Sequence, residues 1–144
     1  MGDTKPFTRA LYVTRIEAAS RQIEAAIDAF EIGSFDVAVT LACAAEGMAP
    51  PNPKGLFKLM MQSPRWGDLT EKNRSSKVNL TRDWLKHRAE DKPGRLLIEE
   101  AEAAYCIVRA MSVWEPWTPK IDAFGHQFLQ ALGKPRTGPH SANS

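Results

Sequence analysis

The sequence predicts an all-α fold, an antiparallel helical bundle of four long helices plus one or two short ones. Three observations support this. Apolar residues recur at helical spacing over most of the chain, no run of alternating β-branched residues argues for a sheet, and glycine or proline breaks separate the periodic segments. The 144 residues are enough for one domain with a real core, so residues 1–132 are assigned to a single helical domain.

Residues 8–32 place Ile16, Ile23, Ile27 and Phe30 on one face, with Ala19 and Ala26 between them. Gly33 ends this helix, because glycine adopts the left-handed conformation of a helix C-terminus without strain. Ser34 then caps a helix over 35–48, whose Val39, Ala42, Ala45 and neighbours make it apolar on nearly every side, as expected of a central element. "APPNPKG" is a break. A short helix around 55–62 and a polar connection over 63–75 follow, then a third long helix from about 76 to 88, stopped by "EDKPG". Residues 95–114 form a fourth, with Leu97, Ala101, Ala104, Tyr105, Val108 and Met111 facing inward, closed by "EPWTP". Thr118 and Pro119 open a last helix over 119–132, with Ile121, Phe124 and Phe128 on its buried side. The polar tail, 133–144, is expected to be disordered.

A composition of 43% hydrophobic and 25% charged residues is that of an ordinary globular protein. The net charge of +2 implies no nucleic-acid or membrane partner by itself, but its distribution is uneven. Residues 1–50 hold four basic and seven acidic side chains, whereas 65–95 hold nine basic and five acidic. Cys43 and Cys106 lie within apolar helical patterns, with no CxxC or His–Cys spacing around them, and read as reduced core residues. The opening residues have no apolar signal core and "VAVTLACAA" is too short to span a bilayer, so a soluble cytoplasmic protein is expected.

Within the basic third lies "NLTRDWLKHR", residues 79–88, where Arg82, Asp83, Lys86, His87 and Arg88 surround Trp84 and Leu85. Arg82 and His87 are separated by roughly 140° on an ideal helix, so they do not share a strict face. A loosened helix end would let the long Arg82 side chain reach the same pocket. Asp83 and His87, four positions apart, are surface neighbours, and the carboxylate can fix the imidazole tautomer. A guanidinium that grips a phosphate beside an oriented imidazole is a minimal kit for phosphoryl chemistry without a metal. With RNA the 2′-hydroxyl supplies the nucleophile. Taken alone, the same residues read first as a solvated basic helix end, where Lys86, His87 and Arg88 complement the helix dipole.

The order of elements weighs on that choice. "FDVAVTLACAAEGM", a broken loop, "NLTRDWLKH" and then the acidic helix "EEAEAAYCIV" together resemble the HEPN superfamily of small all-α domains, over about residues 10 to 130. The family motif is an arginine, a polar residue, a short spacer and a histidine, and Arg82, Asp83 and His87 fill it. The resemblance implies metal-independent RNA cleavage across a homodimer, with the two motif copies facing one cleft. Arg82 would act on the scissile phosphate, His87 as acid or base and Asp83 as its orienter. Lys86 and Arg88 would bind the RNA backbone, and neither metal nor cofactor would be needed. Other relatives lack the motif and bind a nucleotide or a partner protein instead, which remains the alternative. Ala89 stands where the toxin subgroup carries a tyrosine, so no antitoxin partner is implied.

The remaining polar residues divide similarly. Glu46, the sole carboxylate between Asp36 and Asp68, either meets water at a frayed helix end or holds Arg82 from the neighbouring helix. Glu99, Glu100 and Glu102 read as a solvated face. Asp122 and His126 have metal-compatible spacing but no third ligand. Trp114 and Trp117 are expected to pin a helix corner to the core or to form a dimer contact. Trp84 anchors its own helix or stacks on a base.

Overall fold

The computed structural model describes residues 6–50, 71–87 and 93–133. Those residues form five helices and no strand: α1 (Arg15–Glu31), α2 (Phe35–Gly47), α3 (Glu71–Lys86), α4 (Glu100–Val113) and α5 (Pro119–Gly133). The all-α prediction therefore holds for the described chain. The short helix expected around 55–62, Arg88 and the tail from 134 onward lie outside the described residues.

Three helix boundaries differ from the sequence reading, each for a local reason. The first helix begins at Arg15, not residue 8, because Thr14 caps it: its Oγ1 accepts from the Glu17 N–H at 3.1 Å and donates to the Glu17 carboxylate at 3.1 Å. Residues 8–14 are non-helical, and Ile16, placed on the inner face from sequence, is about half exposed. The third helix spans 71–86 rather than 76–88, taking in the end of the expected polar connection. The fourth starts at Glu100 rather than 95. Leu97, read as inward, precedes it and is exposed, and so is Ala101 in its first turn.

One apolar core joins the elements. Ile23 and Ile27 from α1, Val39 and Ala42 from α2, Ile107 and Val108 from α4 and Ile121 from α5 are all shielded from solvent. Helix α2 lies between α1 and α4 and packs most extensively on those two, as its nearly all-round apolar sequence requires. The α1–α2 corner turns at Gly33, whose φ of 83° is one that glycine adopts without steric cost. Phe30 at that corner packs edge-on against Phe124 of α5, with ring centroids 5.5 Å apart. Gly125 of α5 faces the end of the Met111 side chain of α4, which would stand 3.0 Å from a Cβ at that position.

The tryptophan corner forms as expected. Trp114 is buried and its indole N–H donates to the Ala45 carbonyl at 2.6 Å, closing the end of α4 onto α2. Trp117 donates to the carbonyls of Met111 and Trp114, both at 2.9 Å. These bonds satisfy carbonyls that the C-terminus of α4 leaves without helical partners.

Candidate functional site

Helix α3 carries the motif, and its inner face is what holds it in place. Thr81 is only 1% exposed, and its hydroxyl donates to the carboxylate of Glu102 in the first turn of α4. Leu85, one turn later, packs against the core. Glu102 was expected on a solvated face with Glu99 and Glu100, yet it is buried. A buried carboxylate must be hydrogen-bonded to be tolerated, and Thr81 supplies that partner to Oε1. The other oxygen, Oε2, is also buried and has no hydrogen-bond partner among the described residues.

The motif side chains point outward from this anchor. Arg82 and Asp83 are partly exposed, while Lys86 and His87 are exposed. The Arg82 Nε lies 3.9 Å from the Asp83 carboxylate. No side-chain bond joins Asp83 to His87 among the described residues; those two are linked only through the backbone, His87 N–H to Asp83 carbonyl at 2.9 Å. The expected orientation of the imidazole by Asp83 is thus absent within the single chain, since the carboxylate sits against the nearer guanidinium. Trp84 is neither in the core cluster nor fully exposed. Its indole N–H donates to the Pro93 carbonyl at 2.8 Å and ties the end of α3 to the segment before α4.

Glu46 does not hold Arg82. Its carboxylate accepts from Arg109 Nη2 of α4 at 2.6 Å, with the side chains 27% and 19% exposed. Arg109 is the cation that sequence reasoning missed. It is a lone positive charge in the apolar stretch "YCIVRAMSV", opposite a lone negative charge in "TLACAAEGM", and that pairing of solitary charges was the available signal. The Arg109 guanidinium also lies 5.8 Å from the centroid of the Tyr105 ring. Burial works against the Arg109 charge, but the carboxylate of Glu46 outweighs it and raises the pKa.

Behind this pair, Cys43 of α2 and Cys106 of α4 are free and buried. The neighbouring Cys106 thiol lowers the pKa of the Cys43 thiol, against the opposing effects of burial and Glu46, with smaller help from Arg82 and Arg109. The Cys43 thiol, with burial, pushes Cys106 far above the ordinary thiol range. Arg82 is therefore close enough to α2 for its charge to be felt at Cys43, although its carboxylate neighbour is Asp83. The region between α2, α3 and α4 is a polar seam in an otherwise apolar interior, and the motif lies on its outer edge.

Asp122 and His126 approach to 3.5 Å on the exposed face of α5. Among the described residues no group of three His, Cys, Asp or Glu side chains is placed to hold a metal ion. No helix there is long and apolar enough to cross a membrane. No protein-family model, curated protein or solved structure matches the chain.

Proposed function

We propose that this protein is a metal-independent endoribonuclease of HEPN type, its helices forming an antiparallel bundle and its site completed across a homodimer. The observation that carries the reading is the pairing of an exposed cationic edge with a fixed base. Arg82, Lys86 and His87 face outward from a helix whose Thr81 and Leu85 are locked into the interior. A site that must hold a flexible polyanion needs both accessible charge and rigid support. Arg82 places two hydrogen-bond donors on the scissile phosphate and stabilises the charge that develops there. His87 moves the proton between the 2′-oxygen and the leaving 5′-oxygen. One chain contributes a single imidazole, whereas two symmetry-related copies provide both an acid and a base. Leu80, exposed on the same helix, gives the two α3 helices an apolar contact near the two-fold axis.

A second reading is a silent module that binds a nucleotide or a partner protein. It is favoured by the position of Asp83, which lies against Arg82 and leaves the imidazole without its orienter. Incubating purified protein with mixed RNA in EDTA, beside a His87→Ala control, separates the two. Cleavage by the wild type alone supports the ribonuclease; intact RNA in both samples supports the silent module.

Lys86 and Arg88 have a distinct expected effect. As contacts to the phosphate backbone, their replacement by alanine should weaken RNA binding for all sequences alike. Each should also reduce the slope of log affinity against log salt by roughly 0.7, the value for one single-strand phosphate contact. Filter binding across a salt series measures this, and an unchanged slope would remove both residues from the RNA interface.

A further inference from the structure

Two free thiols lie in the core on facing turns of α2 and α4. Cys43 is 9% exposed and Cys106 1%. The contacts around them give the register of the two helices. Glu46, three residues after Cys43, meets Arg109, three residues after Cys106, at 2.6 Å. The Trp114 indole, just past the end of α4, reaches the Ala45 carbonyl near the end of α2. The helices therefore run in the same direction, and one turn before the ion pair Cys43 stands opposite Cys106.

Small side chains let the two backbones approach. Ala42 and Ala45 on α2 and Ala103 and Ala110 on α4 are fully buried. Packed helices have axes about 8–10 Å apart, and with Cα atoms about 2.3 Å from each axis, directly facing Cα atoms stand roughly 3.5–5.5 Å apart. Slightly offset positions stand a little further. A disulfide needs a Cα separation of about 4.4–6.8 Å, a window that facing positions on such a pair enter. We propose that Cys43 and Cys106 are a dithiol site that peroxides oxidise to a disulfide within one chain, Cys43 attacking the peroxide and Cys106 resolving the product.

Access and charge set that order. Cys43 is the more exposed of the two and sits one turn from the partly exposed ion pair. The Cys106 thiol, with help from Arg82 and Arg109, lowers the pKa of Cys43, whereas Cys106 is pushed far up and stays protonated. The thiolate is the reactive form. The Cys43 sulfur attacks one oxygen of hydrogen peroxide, the O–O bond breaks, and the departing hydroxide takes up the Cys43 proton as water. The sulfur is left as a sulfenic acid. The Cys106 sulfur then attacks the Cys43 sulfur, the S–S bond forms and the S–O bond breaks, and hydroxide leaves with the Cys106 proton as a second water. Two thiols lose two electrons and one peroxide gains them. The bond closes a loop of roughly 60 residues that contains all of α3, so it should raise Tm by on the order of 10 °C.

This oxidation is independent of the RNA chemistry, and its test needs no substrate. Reduced full-length protein is treated with hydrogen peroxide, alkylated in denaturant and digested without reductant, beside Cys43→Ala and Cys106→Ala variants treated with dimedone, which traps sulfenic acids. In the wild type, both thiols should resist alkylation, and a peptide joining Cys43 to Cys106 of the same chain should form and disappear with dithiothreitol. The oxidised protein should melt higher than the reduced one. Dimedone should label Cys43 in Cys106→Ala and leave Cys106 unlabelled in Cys43→Ala. Where a variant does not fold, the wild-type peptide map and melting curve decide alone. Thiols that both still alkylate after treatment, a disulfide between two chains, or Cys43 over-oxidised beside a free Cys106 would each overturn the proposal. So would a label on Cys106, or an oxidised protein that melts no higher than the reduced one.

Discussion

Replacing His87 with alanine is expected to slow RNA cleavage by about 10²–10⁴-fold, the usual contribution of a positioned acid–base group. The substitution should leave the stability of the protein unchanged, because His87 is exposed at the end of α3 and makes no side-chain bond among the described residues. Arg82→Ala should reduce the rate by about 10²–10³-fold, since a preorganised donor to the developing phosphate charge is lost. The Arg82 side chain is 37% exposed and its nearest carboxylate, Asp83, is 3.9 Å away, so this change too should alter the fold little. Single-turnover rates on a short RNA, measured beside urea unfolding of each variant, distinguish lost chemistry from lost structure. Rates within threefold of the wild type for both variants would remove the motif from the reaction.

The second large effect concerns stability. Glu46→Ala leaves Arg109 in the interior without the carboxylate that it contacts at 2.6 Å. Breaking a fully buried pair in this way costs about 3–5 kcal/mol, and the partial exposure here reduces the expected loss to about 2–3 kcal/mol. For a chain of this length that corresponds to a fall in Tm on the order of 10 °C. Replacing both members together, as Glu46→Leu with Arg109→Leu, should recover most of the loss, because no uncompensated charge then remains. At a temperature where Glu46→Ala is fully folded, RNA cleavage should proceed at the wild-type rate, since Glu46 supports α4 and not Arg82. A change in stability below about 0.5 kcal/mol would show that the ion pair does not form in solution.

The contrast between Glu46 and Arg82 illustrates what the sequence could convey about this molecule. Local features were legible. Gly33 marked the end of α1, Pro119 the start of α5, and the spacing of Ile121, Phe124 and Phe128 the buried face of that helix. The start of α1 also has a local signal, because Thr14 and Glu17 have the Thr-x-x-Glu spacing of a helix N-terminus and Thr14 caps the helix. Pairing between distant side chains was less accessible. Glu46 was recognised as an isolated charge in need of a partner, but sequence distance does not tell Arg82 from Arg109. Glu102 falls between these cases. It shares a helical face with Tyr105, Cys106 and Arg109, at spacings of three, four and seven, so burial was readable. Its hydrogen bond with Thr81 depends on how α3 meets α4, which no local pattern encodes.

That contact also explains how the candidate site is supported. Thr81 directly precedes Arg82, so the buried bond to Glu102 fixes the backbone from which the guanidinium extends. The polar seam of Glu46, Arg109, Cys43 and Cys106 lies behind it and belongs to the α2–α4 contact. The proposed chemistry lies on the exposed edge of α3 and the stabilising ion pair in the seam, so substitutions on the two sides should act on different measurements.

The most direct measurement of the proposed activity is the end chemistry of RNA cut by wild-type protein in EDTA. Attack by the substrate's own 2′-oxygen leaves a 2′,3′-cyclic phosphate on one fragment and a free 5′-hydroxyl on the other, and this pair of ends is the predicted result. It should be absent when His87→Ala protein replaces the wild type. Fragments bearing 5′-phosphates, or RNA that remains intact with the wild type, would contradict the account.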